Sequence, residues 1–255
     1  MSTHPTPAFA GVTELMLVRH GESVGNVAAT DAERAGLEVI DLTTRDADTP
    51  LSARGAVQAQ ALGTWLREQQ EGTGPHSVWC SPYVRAIQTA TIALEAAGAD
   101  VDLHLDERLR DRELGILDLL TTTGVDARYP AEAARRRHLG KFYYRPPGGE
   151  SWADLVLRVR PFLSDLDRAE DGRRVLVVAH DAVIMTIRYV CEALTEQGVL
   201  DLARHTPVRN AAVTRLVRNS DGTGWVLAAF NEDEPMEREG AAVTTHPGDR
   251  DAFPH

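Results

Sequence analysis

Apolar residues cluster along this chain at two spacings. Residues 15–19 (LMLVR), 78–80 (VWC) and 174–180 (RVLVVAH) are short continuous apolar runs bounded by polar residues, as expected of strands buried on both faces. Residues 211–217 (AAVTRLV) and 225–230 (WVLAAF) alternate more and flank the turn signal Asp221-Gly222, so they read as a hairpin. Helical patterns lie between the runs. Ser52 precedes a segment in which Val57, Ala61, Leu62, Trp65 and Leu66 recur at helical spacing, and Gly72 closes it. Ser81-Pro82 opens a further helix by placing proline in the first turn, and Gly98 ends it. Ser151 and Asp154 resemble a capping box before residues 155–170.

Strand alternating with helix predicts an α/β fold, a three-layer sandwich whose mainly parallel central sheet is flanked by helices and ends in an antiparallel edge strand. One domain is expected over residues 14–230, between flexible tails at 1–13 and 231–255, the latter acidic. Residues from about 106 to 150 are charged and aromatic with weak periodicity, and read as a lid over the carboxyl ends of the strands.

Charge and composition narrow the partners. The net charge of −11 argues against nucleic acid and anionic membranes, but local arginines and helix N-termini still allow an anionic ligand. The absence of a long apolar run or a signal-like N-terminus leads us to expect a soluble, cytoplasmic protein. Cys80 and Cys191 are far apart, suggesting reduced, half-buried thiols, and the histidines show no metal spacing, so neither metal nor cofactor is expected.

In α/β folds ligands bind beyond the carboxyl ends of the strands. The three buried runs end at Arg19-His20, Cys80-Ser81-Pro82 and Ala179-His180, which brings two histidines to one sheet edge. Phosphoryl transfer needs a nucleophile, cations for the phosphate oxygens and a proton donor. His20 is the candidate nucleophile, with Gly21 behind it to let backbone and phosphate approach. Arg19 and Arg85 are the candidate clamps, His180 a donor that stabilises transition-state charge, and Asn26 a further neutral donor. Arg110 is a further candidate for substrate binding, and it and Arg112 equally fit a solvated loop where they balance Glu107, Asp111 and Glu113.

Four blocks, LVRHGES with Asn26, SPYVRAIQTA (81–90), GGES (148–151) and VLVVAH (175–180), resemble the histidine phosphatase superfamily, the phosphoglycerate-mutase-like fold. The resemblance covers roughly residues 14–218. It implies that His20 is phosphorylated, with Arg19, Arg85 and His180 completing the phosphate pocket and Asn26 contacting phosphate. It places the general acid in the block RLRDRELG (108–115), at Asp111, where many relatives have Glu. Glu113 is the competitor, because residues i and i+2 of an extended segment share a side. A second departure is Asp181, which follows His180 where relatives commonly have Gly, and which we expect to cap the next helix.

The resemblance thus implies a metal-independent phosphomonoester hydrolase acting on a small phosphorylated metabolite. A mutase, or a phosphoryl-ligand-binding protein with negligible turnover, are the alternatives. The connection at 27–55 lacks the F-T-G-W-like stretch usual in mutases of this fold, which favours hydrolysis. Specificity is expected to lie in the lid, and the edge hairpin is a candidate homodimer surface.

Overall fold

A computed structural model describes residues 11–69 and 72–246. Strands β1 (Glu14–Arg19), β2 (Ser77–Cys80), β3 (Leu103–Leu105), β4 (Arg174–Ala179), β5 (Val213–Arg218) and β6 (Trp225–Glu232) form one six-stranded sheet in the order β3-β2-β4-β1-β5-β6. The first four are parallel to one another; β5 runs antiparallel to β1, and β6 antiparallel to β5, at one edge. The helices are α1 (Val24–Arg34), α2 (Ala53–Gln69), α3 (Val84–Ala97), α4 (Thr122–Arg128), α5 (Pro130–Leu139), α6 (Trp152–Ala169), α7 (Asp181–Cys191), α8 (Glu196–His205) and α9 (Glu234–Arg238). This is the expected sandwich with a mainly parallel sheet.

The two cores explain why the central strands read as continuous apolar runs. Along β1, Leu15 and Leu17 enter a core with Leu155, Val159 and Phe162 of α6 and Ile184 and Ile187 of α7. Met16 and Val18 point the other way, onto Leu62 and Leu66 of α2 and Ala86 and Ala90 of α3. Each such side chain contributes about 1.5–3 kcal/mol by leaving water. The peripheral strand β6 is covered on one side only, hence its alternation. Cys80 and Cys191 are free and sit in opposite cores, both buried rather than half-buried; burial pushes both thiols up, away from thiolate reactivity.

Some boundaries differ from the expectation. The capping box is present: Ser151 Oγ accepts from Asp154 N–H at 3.1 Å while Ser151 N–H donates to Asp154 Oδ2 at 2.8 Å. By contrast α3 begins at Val84 with Tyr83 as its cap, so Pro82 lies outside the first turn; Ser81 Oγ instead accepts from Tyr83 N–H and meets His180. Strand β3 is three residues long and partly exposed, too short to show a period.

Neither expected tail is free where it is described. Gly11 N–H donates to Asp171 Oδ1 and Val12 is fully buried. At the other end Met236 of α9 packs on Ala61, Ala211 and Ala212, and Gln58 Nε2 donates to Ala242 O and Thr244 Oγ1, both at 2.8 Å. Residues 1–10 and 247–255 lie outside the described residues. The lid contains α4 and α5, whose polar faces hid their period, and it leans on the 35–52 connection: Thr121 N–H donates to Glu38 O and Thr121 Oγ1 to Leu37 O. No helix among the described residues is long and apolar enough to cross a membrane.

Candidate active site

Parallel pairing builds the site. Arg19 of β1 is in register with Ala179 of β4, so the next residues, His20 and His180, emerge side by side, with ring centroids 5.1 Å apart. On the other side of β4, β2 ends at Cys80, and Ser81 Oγ lies 2.8 Å from His180 Nε2.

Backbone contacts fix the state of His20. Its Nδ1 lies 2.7 Å from Gly21 O, and since a carbonyl only accepts, Nδ1 carries the proton. Arg85 Nε–H donates to Nε2 at 3.2 Å, which marks Nε2 as the lone-pair nitrogen. Burial, then the charge of Arg85, lowers the His20 pKa well below its usual value, so the ring stays neutral. Its carbonyl accepts from Asn210 Nδ2 at 3.0 Å, and Gly21 N–H donates to Thr89 Oγ1 at 2.9 Å.

Gly21 serves a different purpose from the one expected. A Cβ there meets Gly55 O at 2.6 Å, and a Cβ on Gly55 meets Glu22 O at 2.0 Å. The glycine pair lets the end of β1 pack backbone to backbone on the start of α2; phosphate access is not what requires it.

Arg85 enters from the first turn of α3. Its Nη2 donates to Asp111 Oδ2 at 2.9 Å, and Nη1 donates to the carbonyl of Asp46 at 2.7 Å and to Oδ1 of its carboxylate at 3.0 Å. Burial opposes the guanidinium charge, but Asp111 and Asp46 more than offset it. Arg19 is held by carbonyls: Nη1 donates to Val208 O at 2.6 Å and Nη2 to His246 O at 2.9 Å. Asp111 Oδ2 also lies 3.2 Å from His180 Nδ1, though without hydrogen-bond geometry. Burial works against the Asp111 carboxylate, and His180 and Arg85 overcome it, holding its pKa well below the usual range. Burial lowers that of His180, against the pull of Asp111.

Arg19, His20, Arg85 and Asp111 open onto a cavity of about 870 Å³, whose wall also includes Asn26 and Glu113, while His180 is fully buried behind it. Asn26 shares the wall, its Oδ1 closing the capping box of α1 with Ser23 N–H. Glu113 accepts from Tyr83 Oη at 2.8 Å. Arg110 does not line the cavity: it turns to Glu150 Oε1 at 2.7 Å, whereas Arg112 does reach the wall. Asp181 is no cap. His180 occupies the cap position without a side-chain bond, and Asp181 is the first helical residue, lining the cavity.

His20, Asp111 and His180 bring three potential ligand atoms within 4.8 Å of one another, the set of this kind among the described residues. Arg85 bonds two of the same groups, and its fixed positive charge opposes a divalent cation there.

Ser81, Thr89, Asn210, Asp46 and His246 also serve the site and went unmarked in sequence. Ser81 and Thr89 lie inside the SPYVRAIQTA block, which signals them. Asp46 and His246 sit in aperiodic connections that carry no signal.

Residues 15–233 match the family model of the histidine phosphatase superfamily, branch 1. The chain belongs to that superfamily. Its similarity extends to both phosphatases and mutases. It is 35% identical over 184 residues to 6-phosphofructo-2-kinase/fructose-2,6-bisphosphatase 1 of Rattus norvegicus, covering 72% of this chain and 32% of that one, so it spans about a third of the length of that relative. It is 32% identical over 222 residues to the 2,3-bisphosphoglycerate-dependent phosphoglycerate mutase of Methylobacterium radiotolerans, covering 86% of this chain and 96% of the mutase. Among solved structures, a mycobacterial glucosyl-3-phosphoglycerate phosphatase superposes with a TM-score of 0.69 at 27% identity, over 87% of this chain and 99% of that one.

Proposed function

We propose that this histidine phosphatase superfamily member hydrolyses phosphomonoesters through a phosphohistidine on His20, without a metal. The observation that carries the proposal is the neutral, oriented His20 on the cavity wall, whose Nε2 is free of a proton and accepts from Arg85 beside a second imidazole. Nε2 attacks phosphorus and the ester P–O bond breaks; the departing oxygen takes a proton from a carboxylic acid. Water then attacks the phosphohistidine and returns a proton to that carboxylate, while His20 recovers its lone pair and phosphate leaves. Arg19, Arg85 and His180 Nδ1–H serve the non-bridging oxygens, and Asn26 Nδ2 adds a neutral donor.

Asp111 is the acid in this reading, since it touches both Arg85 and His180. Unliganded, it is ionised and holds the groups that a phosphate needs. A phosphoryl dianion competes for the Arg85 charge and the His180 N–H, sets a second negative charge beside the carboxylate, and so raises its pKa toward that of a donor. Glu113, at Tyr83, is the alternative.

The substrate is a small phosphorylated metabolite in this reading, supported by a cavity of about 870 Å³ and by relatives whose names place them on phosphorylated sugars and glycerates. The mutase match over nearly its whole length favours a second reading, phosphate return to an acceptor. The test is phosphate release from an aryl phosphate and a panel of metabolite monoesters, with EDTA present. Hydrolysis predicts release without acceptor and an acid-labile phosphoenzyme, both lost in His20→Ala. A mutase instead needs a bisphosphorylated primer and releases little phosphate. Failure of the wild type on every ester sinks the hydrolase reading.

A further inference from the structure

Asp181 is a charged group of the cavity that the chemistry above leaves without a task. Its charged neighbours are Arg19 on β1, Lys141 beyond α5 and Asp111 on the lid. The Val208 N–H lies beside the Asp181 carboxyl and favours its charge, and the carbonyl of the same Val208 accepts from Arg19 Nη1 at 2.6 Å. One residue of the loop before β5 therefore adjoins both side chains. The remaining polar atoms, Asp181 Oδ1 and Arg19 Nε, are both buried without a hydrogen-bond partner, and both residues line the same cavity. Buried polar atoms left unpaired are costly, and in a cavity wall they point to a ligand that pairs them.

The two atoms state what that ligand offers. Arg19 Nε–H only donates, so it needs an acceptor. A carboxyl oxygen meeting an anion needs a proton between the two, since otherwise two negative oxygens face each other. We propose that Arg19 Nε and Asp181 Oδ1 together bind the phosphoryl group in a singly protonated form, one non-bridging oxygen accepting from Arg19 and another sharing a proton with Asp181. In the proposed complex the free groups are an Asp181 carboxylate and a phosphoryl dianion, so the shared proton is taken up from solvent as the complex forms.

The surroundings agree with this. Burial raises the pKa of Asp181 against the opposing pull of Arg19 and Lys141, which makes a shared proton easier to hold. His20 and His180 have lowered pKa values through burial and stay neutral. Asp111 is then the competing site for a proton taken up on binding. A fully deprotonated oxyanion such as sulfate brings no proton, so the pair also selects phosphate over sulfate once Asp181 is ionised.

The inference rests on the phosphohydrolase reading, and calorimetry separates the two. Phenylphosphonate, a non-hydrolysable ester mimic, is titrated into the full chain at pH 8 in two buffers of different ionisation enthalpy. Wild type is expected to take up about one proton per ligand bound. Asp181→Asn and Asp181→Gly should take up almost none, and Asp111→Asn should match wild type. In the same conditions wild type should bind inorganic phosphate at least about tenfold more tightly than sulfate, a preference that Asp181→Asn erases. Uptake that persists in both Asp181 variants, or that disappears in Asp111→Asn instead, overturns the inference. So does a kcat loss in Asp181→Asn confined to poor leaving groups, since that makes Asp181 the leaving-group acid. Wild type binding with no proton uptake refutes it whether or not the variants fold. No phenylphosphonate binding at all overturns the functional reading with it.

Discussion

The two sides of the pocket are built by different means. On the strand side His20, Arg19 and His180 are buried, and backbone or hydroxyl groups orient them: Gly21 O, Val208 O, His246 O and Ser81 Oγ. On the lid side Asp46 and Asp111 are 44% and 28% exposed, and Arg85 holds both. Peptide contacts survive ligand binding, whereas charge contacts to Arg85 are ones a phosphate replaces. The strand side is thus preorganised and the lid side exchangeable, which suits catalysis that gains from donors fixed in advance and an acid whose proton affinity changes on binding.

The comparison breaks most visibly at its rigid half. His20→Ala should lower phosphate release by about a thousandfold or more and abolish the phosphoenzyme; retained turnover refutes nucleophilic catalysis by His20. Removing a clamp comes next. Arg85→Ala should cost about 10²–10³-fold in kcat/KM, read by steady-state kinetics. On the exchangeable side Asp111→Asn should lose roughly 10²-fold on alkyl esters while sparing an activated aryl ester, and the same pattern in Glu113→Gln would move the acid there. Gly55→Ala probes rigidity itself: with Glu22 O at 2.0 Å from the new Cβ, stability should fall by about 1–3 kcal/mol in a denaturant melt. The smallest effect is the sharpest for the comparison. Asp46→Asn frees Arg85 from one competing carboxylate and should lower KM up to about fivefold, the worth of a partly exposed pair; an unchanged or higher KM means that Asp46 supports the site.

The pH response follows the same division. Asp111 is depressed in the folded protein, so its contribution to stability is full above the ordinary carboxylate pKa and is lost as pH falls through its folded value. Asp181 is raised, so it favours the fold below the ordinary value and loses that contribution as pH rises through its folded pKa. Acid melts of Asp111→Asn and Asp181→Asn should therefore differ from wild type with opposite sign.

What the sequence disclosed tracks this division as well. Residues that end a buried strand announce themselves, because an apolar run has to stop somewhere and parallel register dictates what stands beside what. That is why His20, Arg19 and His180 were legible, and Arg85 one turn beyond β2. The lid-side partners were partly legible: Asp111 by its block, Asp46 not at all, since a connection with no period leaves no trace of where its carboxylate will land. The approach of Gly55 to Gly21 leaves no trace in sequence, because it is a tertiary contact. Arg110 turns to Glu150 while Asp111 and Arg112 line the cavity, because neighbours in an irregular segment diverge without a period to announce it.

The carbonyls that hold Arg19 come from residues 189 and 227 positions away. Strand β1 is synthesised well before the groups that orient its arginine, the carbonyls of Val208 and His246. A nascent chain therefore carries its nucleophile long before it carries a finished site, and completing that site is a long-range closure, slower than forming the local helices it joins.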